Sequence, residues 1–231
     1  MLTPIEIEII TLSLRVAFWA VLFGLPLAIA AAWLLARTHF PGKALVDGAL
    51  HLPLVVPPVI VGFTLLVLFG RQGAIGSILY DWFGFSFAFD WKGAALASGV
   101  MAFPLMVRAI RLSIEAIDQR IETAARTLGA SHLRVFATIT LPLALPGVLS
   151  GTVLAFARSL GEFGATITFV SNIPGETRTM PLAVFSLMQM PGPNDAILRL
   201  VLVSIAIALA ALILSEALSR RVSARIRGSV P

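Results

Sequence analysis

The stretch ETAARTLGASHLRVFATITLP, residues 122–142, decides how the chain is interpreted, because it is polar and stands between very apolar segments. The surrounding residues 108–141 carry eight charged side chains, too many for the hydrocarbon core of a membrane. A segment of this kind must face water, even though the rest of the chain suits lipid. We therefore predict a water-exposed loop at about 108–141 that docks onto another molecule.

The composition of the whole chain points to the bilayer. Of its 231 residues, 58% are hydrophobic and 13% are charged, whereas a soluble domain carries roughly 25% charged residues. The net charge of +5 does not indicate nucleic acid, because the basic residues form no patch interleaved with aromatic residues. The absence of cysteine excludes disulfides and thiolate chemistry. The acidic start MLTPIEIEII lacks the features of a removable signal peptide.

Apolar runs long enough to cross the hydrocarbon core predict five transmembrane helices. The fold class is therefore an all-α integral membrane protein with one domain over residues 1–231 and a membrane core at about 10–216. The predicted spans are 16–36, 52–70, 93–107, 139–157 with an apolar continuation past Arg158 and Glu162, and 195–216 interrupted by Arg199.

The distribution of basic residues orients these spans, because cytoplasmic loops are enriched in Lys and Arg. An outside N-terminus places 11 of the 17 basic residues in the cytoplasm and leaves four outside. It also places the 108–141 loop in the cytoplasm. The cytoplasmic set is Arg37, Lys43, Arg108, Arg111, Arg120, Arg126, Arg134, Arg220, Arg221, Arg225 and Arg227.

Within the loop, the apolar residues Ile114, Ile117, Ile121 and Leu128 recur at helical spacing and predict a helix with one apolar stripe. Gly129 follows, where a helix can end in a left-handed turn. Ser131 can then cap a second short helix leading to Pro142. The alternative is an amphipathic hairpin lying on the lipid headgroups.

The same loop resembles the cytoplasmic motif of ABC importer permeases. That motif reads Ala-Ala, three residues, Gly, nine residues, Ile-x-Leu-Pro. The resemblance implies a type I ABC importer permease fold in which this segment is the coupling helix that fits a cleft of the ATPase subunit. The family's usual acid would fall at Thr123, and the one-residue shift to Glu122 turns the carboxylate about 100° around a helix. The coupling residues so implied are Glu122, Ala124, Ala125, Gly129, Ala130, Ile139, Leu141 and Pro142.

Three further segments resemble the molybdate permeases among these importers: LHLPLVVPPVIVG (50–62), FPLMVRAIR (103–111) and ARSLGEFGATITFVSNIPGETRT (157–179). Sulfate permeases share the GEFGAT-like part, so sulfate and tungstate remain alternative substrates. The resemblance implies a homodimer in a bacterial inner membrane, two cytoplasmic ATPases and a periplasmic molybdate-binding protein. The chain has no G-x-x-x-x-G-K-[ST] phosphate loop, so we expect no enzyme activity and no cofactor in it, with ATP and magnesium bound by the partner.

Polar residues inside the apolar segments are candidates for the translocation pathway, because burying a charge in a bilayer is costly. Arg158 and Glu162 are four residues apart and would share a helix face, with Glu162 neutralising Arg158 so that the path does not trap a dianion. The alternative is a structural ion pair. Pro57 and Pro58 should kink the second span, as a gate or as a static bend. Hydroxyl donors, which suit a transient oxyanion site, and a neighbouring glycine complete the set, with ordinary interhelical hydrogen bonding as the alternative: Ser159, Gly164, Thr166 and Thr168.

On the outer side, Arg71, Lys92 and Arg178 could contact the binding protein or could be solvated loop charges. The aromatic segment 82–91 fits the outer interface, and the apolar stretch 181–190 could form an outer interfacial helix. His51 and His132 have no metal-ligand pattern, so we expect no metal site and treat both as loop residues.

Two other functions fit the composition less well. A standalone channel or ion-coupled carrier would leave the spacing around Gly129 unexplained. An intramembrane enzyme would need a catalytic constellation, and the sequence contains neither H-E-x-x-H nor G-x-S-x-G.

Overall fold

A computed structural model describes residues 2–190 and 194–228, and in this part of the chain it contains helices and no strand. Residue 1, residues 191–193 of the predicted outer loop and residues 229–231 of the predicted domain lie outside the described residues. The helices are α1 (Pro4–Arg37), α2 (Lys43–Val55), α3 (Pro58–Phe69), α4 (Gly76–Phe83), α5 (Trp91–Glu115), α6 (Gln119–Thr127), α7 (His132–Val135), a π-helical turn (Phe136–Thr140), α8 (Leu141–Leu160), α9 (Gly164–Val170), α10 (Met180–Met188) and α11 (Asp195–Gly228).

Four helical segments within the described residues are long and apolar enough to cross a membrane: α1, α5, the segment His132–Leu160 and α11. The fifth predicted span is the pair α2 and α3, which is bent by 113° between Val55 and Pro58. Two consecutive prolines remove two backbone donors at this point, so a continuous helix cannot pass through it. The predicted kink of the second span at Pro57 and Pro58 is confirmed, and it divides the segment into two helices.

The first helix begins well before residue 16, where the sequence predicted its start. Thr3 caps α1, because its hydroxyl accepts the Glu6 N–H while the Glu6 carboxylate accepts the Thr3 N–H at 2.8 Å. Glu6 also forms an ion pair with Arg199 of α11, in which Arg199 Nη2 lies 2.8 Å from Glu6 Oε1. This distant cation neutralises the carboxylate whose charge made the N-terminal segment look polar.

The fourth predicted span, 139–157, lies within the observed segment His132–Leu160, but the helix does not continue past that segment. Helix α8 ends at Leu160, Gly161 follows as its C-cap, and α9 starts only at Gly164. The prediction that the helix continues through Glu162 is therefore wrong. The polar residues beyond this break belong to a separate short helix that packs on α3.

The core that supports the loop 108–141 is built from α1, α5 and α8. Small residues let these helices approach closely, and a Cβ on Gly147 of α8 would lie only 2.2 Å from the Cβ of Ser113 in α5. The Ser113 hydroxyl also donates to the Ala144 carbonyl at 3.3 Å. The end of α5 and the start of α8, which flank the loop, are therefore held together.

Candidate functional site

The connection between α5 and α8 forms two short helices. Asp118 caps α6 by accepting the Arg120 N–H at 2.9 Å, and Gly129 just beyond α6 has a φ of +88°. Ser131 caps α7 by accepting the Arg134 N–H at 3.4 Å. The structure bears out the left-handed Gly129 and the Ser131 cap. It does not show one helix through Ile114 and Leu128, because α5 ends at Glu115.

Three large aliphatic side chains of this loop are exposed. Ile121 is 48% exposed, Leu128 is 87% exposed and Leu133 is 77% exposed. Ala124 and Gly129 lie on the same loop and are also exposed. Large aliphatic side chains clustered on a polar loop are typical of a surface that another protein covers.

The opposite face of α6 carries Glu122, whose carboxylate is buried against the end of α1. Arg37 Nε lies 3.0 Å from Glu122 Oε2, and Arg37 Nη2 donates to Glu122 Oε1 at 3.1 Å. Thr140 of the π-helical turn donates its hydroxyl to Glu122 Oε1 at 2.7 Å. Both carboxylate oxygens are therefore occupied by groups of this chain.

The position of the family's usual acid has a different environment. Thr123 is exposed, donates its hydroxyl to the Gln119 carbonyl, and accepts a hydrogen bond from Arg126 Nη2 at 3.2 Å. Glu122 and Thr123 thus point to different faces of α6. The structure places Glu122 among the supports of the loop rather than on its exposed surface, unlike our sequence-based assignment.

The other residues predicted for coupling divide into two groups. Exposed or partly exposed on the loop are Ala124, Ala125, Gly129 and Ala130. At the entrance to α8, Ile139 and Leu141 are partly buried and Pro142 is exposed in the first turn of that helix. Leu141 packs against the core of α1, α5 and α8.

The second polar site is the Arg158–Glu162 pair at the break between α8 and α9. Arg158 Nη1 lies 2.6 Å from Glu162 Oε2, with side-chain exposures of 29% and 1%. The other oxygen, Glu162 Oε1, accepts the Ala165 N–H at 2.8 Å at the start of α9. The predicted pair exists. Its two residues meet across the break after Leu160, and they do not lie on one face of a continuous helix.

Several predicted pathway residues meet where α9 crosses α3. A Cβ on Gly164 would lie 2.8 Å from the Cβ of Pro58, and a Cβ on Gly62 would lie 2.9 Å from the Cβ of Thr168. Pro57 is exposed at the bend before α3. The crossing therefore joins the two interrupted segments of the chain.

The remaining two pathway candidates lie elsewhere in the packing. Ser159 donates to the Ser98 carbonyl of α5 at 3.5 Å. Thr166 is fully buried on α9, and its hydroxyl has no hydrogen-bond partner in the described residues. Both residues are buried in the helix packing.

The three cations predicted for the outer side lie on separate elements. Arg71 stacks over the Tyr80 ring at 4.0 Å, and Lys92 lies 4.7 Å from the centre of the Phe85 ring. Arg178 donates from Nε to the Asn172 side chain at 3.0 Å. Each of the three side chains contacts a residue close to it in the sequence, and no contact among the described residues joins the three.

Other expectations are corrected by the helices themselves. The predicted apolar stretch does form a helix, α10, which buries Met180 and Leu182 and exposes Phe185 and Met188. His51 lies in α2 beside Asp47 and His132 lies in α7, so neither is a loop residue. Sequence reasoning missed Arg37 and Thr140, for which the only signal was the displaced acid at Glu122.

Together these features define a helical membrane component with an exposed polar loop between two of its spans. The family described as binding-protein-dependent transport system inner membrane component matches residues 24–228. The chain belongs to this family, which confirms the predicted class of translocation subunit rather than enzyme.

Relatives match almost the whole chain. The molybdenum transport system permease protein ModB of Escherichia coli (strain K12) is 64% identical over 219 residues, which cover 95% of this chain and 96% of the relative. The ModB protein of Haemophilus influenzae is 62% identical over 221 residues, with 96% of both chains covered. The resemblance stated from the sequence is confirmed.

The fold agrees with a solved importer structure. A bacterial ABC transporter involved in the import of the acidic polysaccharide alginate superposes with a TM-score of 0.74. The match covers 95% of this chain and 80% of that chain, at 18% sequence identity. The predicted all-α permease fold of ABC importers is confirmed, and the chain is a multi-pass inner membrane protein.

Proposed function

We propose that this chain transports molybdate as one half of a homodimer, driven by two ATPase subunits and supplied by a periplasmic molybdate-binding protein. The observation that carries the substrate assignment is the near-complete match to molybdenum permeases from two bacteria. The exposed apolar face at Ile121, Leu128 and Leu133 supports the attachment of an ATPase. The dimer is supported by the small number of spans, which are too few to enclose a path alone.

The N-terminus lies on the periplasmic side and the C-terminus in the cytoplasm in this proposal. Contacts between helix ends support a common sidedness for the basic residues. Arg37 at the end of α1 meets α6, and Arg111 near the end of α5 pairs with Asp47 of α2 at 2.9 Å. At the opposite ends of α1 and α11, Glu6 meets Arg199. The positive-inside rule then places the side with α6 in the cytoplasm.

The coupling of ATP hydrolysis to movement of the spans follows from the two helices to which the loop is attached. Helices α6 and α7 lie directly between α5 and α8, so a partner that moves them displaces the ends of two spans. ATP-driven closure of the ATPases draws the two loops of the dimer together and opens the spans outward to receive the anion. Hydrolysis then returns the dimer to the inward-facing state.

The anion path in this proposal runs past the break between α8 and α9. Arg158 is the partly exposed member of its ion pair, so it can meet a passing oxyanion while Glu162 limits its attraction. The exposed bend at Pro57 and the α3–α9 crossing provide the movable wall. Weak and transient binding suits transport, because tight binding slows release.

The test is uptake into proteoliposomes that contain this chain together with an ATPase subunit that binds it and a periplasmic molybdate-binding protein. We expect ATP-dependent accumulation of molybdate that excess tungstate suppresses more strongly than excess sulfate. Faster uptake of sulfate than of molybdate at equal concentration would assign the chain to sulfate. Uptake by this chain with no ATPase present would instead support a channel or carrier.

A further inference from the structure

The side chain of Arg37 connects the cytoplasmic end of the first span to the docking loop. Its guanidinium group lies beside both oxygens of Glu122, and Nη2 also donates to the Ile117 carbonyl at 3.2 Å. The carbonyl of Ile117 lies in the gap between α5 and α6. One side chain therefore holds α6, through Glu122, and the connection between α5 and α6, through Ile117.

Thr140 extends the same connection to the fourth crossing segment. Its hydroxyl donates to Glu122 at 2.7 Å, and Thr140 is the last residue of the π-helical turn before α8. A second contact runs in parallel, because the Trp33 ring of α1 lies edge-on to Phe136 of the same turn at 5.9 Å. The carboxylate of Glu122 thus joins three elements that are far apart in sequence.

Burial gives this connection its strength. The Arg37 and Glu122 side chains are only 8% and 11% exposed. An exposed ion pair on a loop is easily broken. A buried carboxylate that loses its partner, in contrast, remains charged in a poorly solvated environment. Displacement of α6 away from α1 would create that situation, so α6 and the end of α1 are expected to move together.

We propose that Arg37 is a positioning residue that fastens the docking loop, through Glu122 and Thr140, to the cytoplasmic ends of α1 and α8. Force applied to α6 then moves these spans instead of bending the loop. This inference rests on the proposed function, because it assumes that an ATPase acts on α6. It assigns to Glu122 an internal role, in place of a contact with the ATPase.

The experiment measures ATP hydrolysis and molybdate uptake together in the reconstituted complex. We expect Glu122→Gln and Arg37→Met to keep the ATPase bound and hydrolysing while uptake per ATP falls at least fivefold. The exchange of both residues, Arg37→Glu with Glu122→Arg, should restore at least half of the lost coupling. Thr140→Val should show a smaller loss, since it removes one hydrogen bond and leaves the ion pair intact.

The matched control is Arg220→Gln, which removes an exposed ion pair with Glu216 on α11 and should leave uptake per ATP unchanged. Arg37→Lys provides a second variant if Arg37→Met fails to assemble, because it keeps the charge but lacks the forked contact with Glu122 and Ile117. It should assemble and couple less efficiently than the wild type.

The results that overturn the inference are distinct from those that overturn the proposed function. Normal uptake per ATP in Arg37→Lys and Glu122→Gln would refute the role of Arg37 while leaving ATPase coupling intact. Loss of ATPase binding in Glu122→Gln would show that Glu122 acts at the docking surface, and would also refute it. Failure of the wild-type chain to bind or stimulate any ATPase would refute the proposed function itself.

Discussion

Gly62 of α3 and Ala165 of α9 touch backbone to backbone: a Cβ on Gly62 would lie 2.5 Å from the Ala165 carbonyl oxygen. No flexible side chain on either helix can move aside to relieve such an overlap. This contact fixes how the second and fourth apolar segments meet, at the place where both depart from a continuous span.

The first prediction concerns this crossing. Gly62→Ala should lower the stability of the solubilised protein by about 1–3 kcal/mol, because the added methyl group forces α3 and α9 apart. Thermal unfolding followed by circular dichroism measures the effect. Gly48→Ala is the matched control, since Gly48 of α2 has nothing within 4 Å of an added Cβ. An equal shift for both variants would contradict the close approach.

The second prediction separates backbone conformation from docking at Gly129. Gly129 and Gly42 both have a left-handed φ, +88° and +85°, and both face open space. Asparagine tolerates this conformation better than other side chains. We therefore expect Gly129→Asn and Gly42→Asn to fold equally well, while only Gly129→Asn weakens binding of the ATPase. Pull-down of the ATPase by each solubilised variant gives the answer, and equal binding by the two would argue against close approach at Gly129.

The third prediction tests the exposed apolar face of the loop. Leu128→Glu should reduce ATPase affinity by about tenfold, which is ~1.4 kcal/mol, because Leu128 lies on the proposed docking surface. Its unfolding temperature should stay unchanged, since the side chain is 87% exposed. Leu128→Met, which keeps an apolar side chain, is the control. Unchanged ATPase affinity in Leu128→Glu would contradict the docking surface and favour the alternative, in which the loop lies on the lipid headgroups.

The fourth prediction concerns the ion pair at the α8–α9 break. Glu162→Gln keeps an oxygen that can accept the Ala165 N–H but leaves the Arg158 charge uncompensated. If Arg158 borders the path, the solubilised dimer should retain labelled molybdate about tenfold more tightly, ~1.4 kcal/mol, and uptake should slow. Arg158→Gln should abolish this retention. Loss of thermal stability in both variants with no change in retention would identify a purely structural pair.

Local signals in the sequence were sufficient for much of the architecture. The bend at Pro57 follows from two missing backbone donors, and the turn at Gly129 follows from a small residue at the end of an amphipathic stretch. The same holds for the Ser131 cap. Each of these features depends on residues within a few positions of one another, so a single sequence is enough to predict it.

Features that depend on distant partners could not be predicted. Arg37 and Glu122 are 85 positions apart, and Glu6 and Arg199 are 193 positions apart. When its partner is not known, Glu6 counts as an unpaired charge outside the first span. In the same way, Glu122 counts as an acid on the surface of the loop. The break at Gly161 was missed for another reason: apolar sequence continues beyond it, and hydropathy does not register a change of helix direction.

The buried ion pair between Glu122 and Arg37 limits which segments of this permease can be exchanged with those of a homologue. A loop transplanted from an importer whose acid stands at the position of Thr123 would leave Arg37 at the end of α1 without the carboxylate of Glu122. Chimeras that swap residues 116–140 alone would therefore combine a foreign loop with an unmatched anchor. Moving the end of α1 together with the loop keeps the two halves of the fastening in the same molecule.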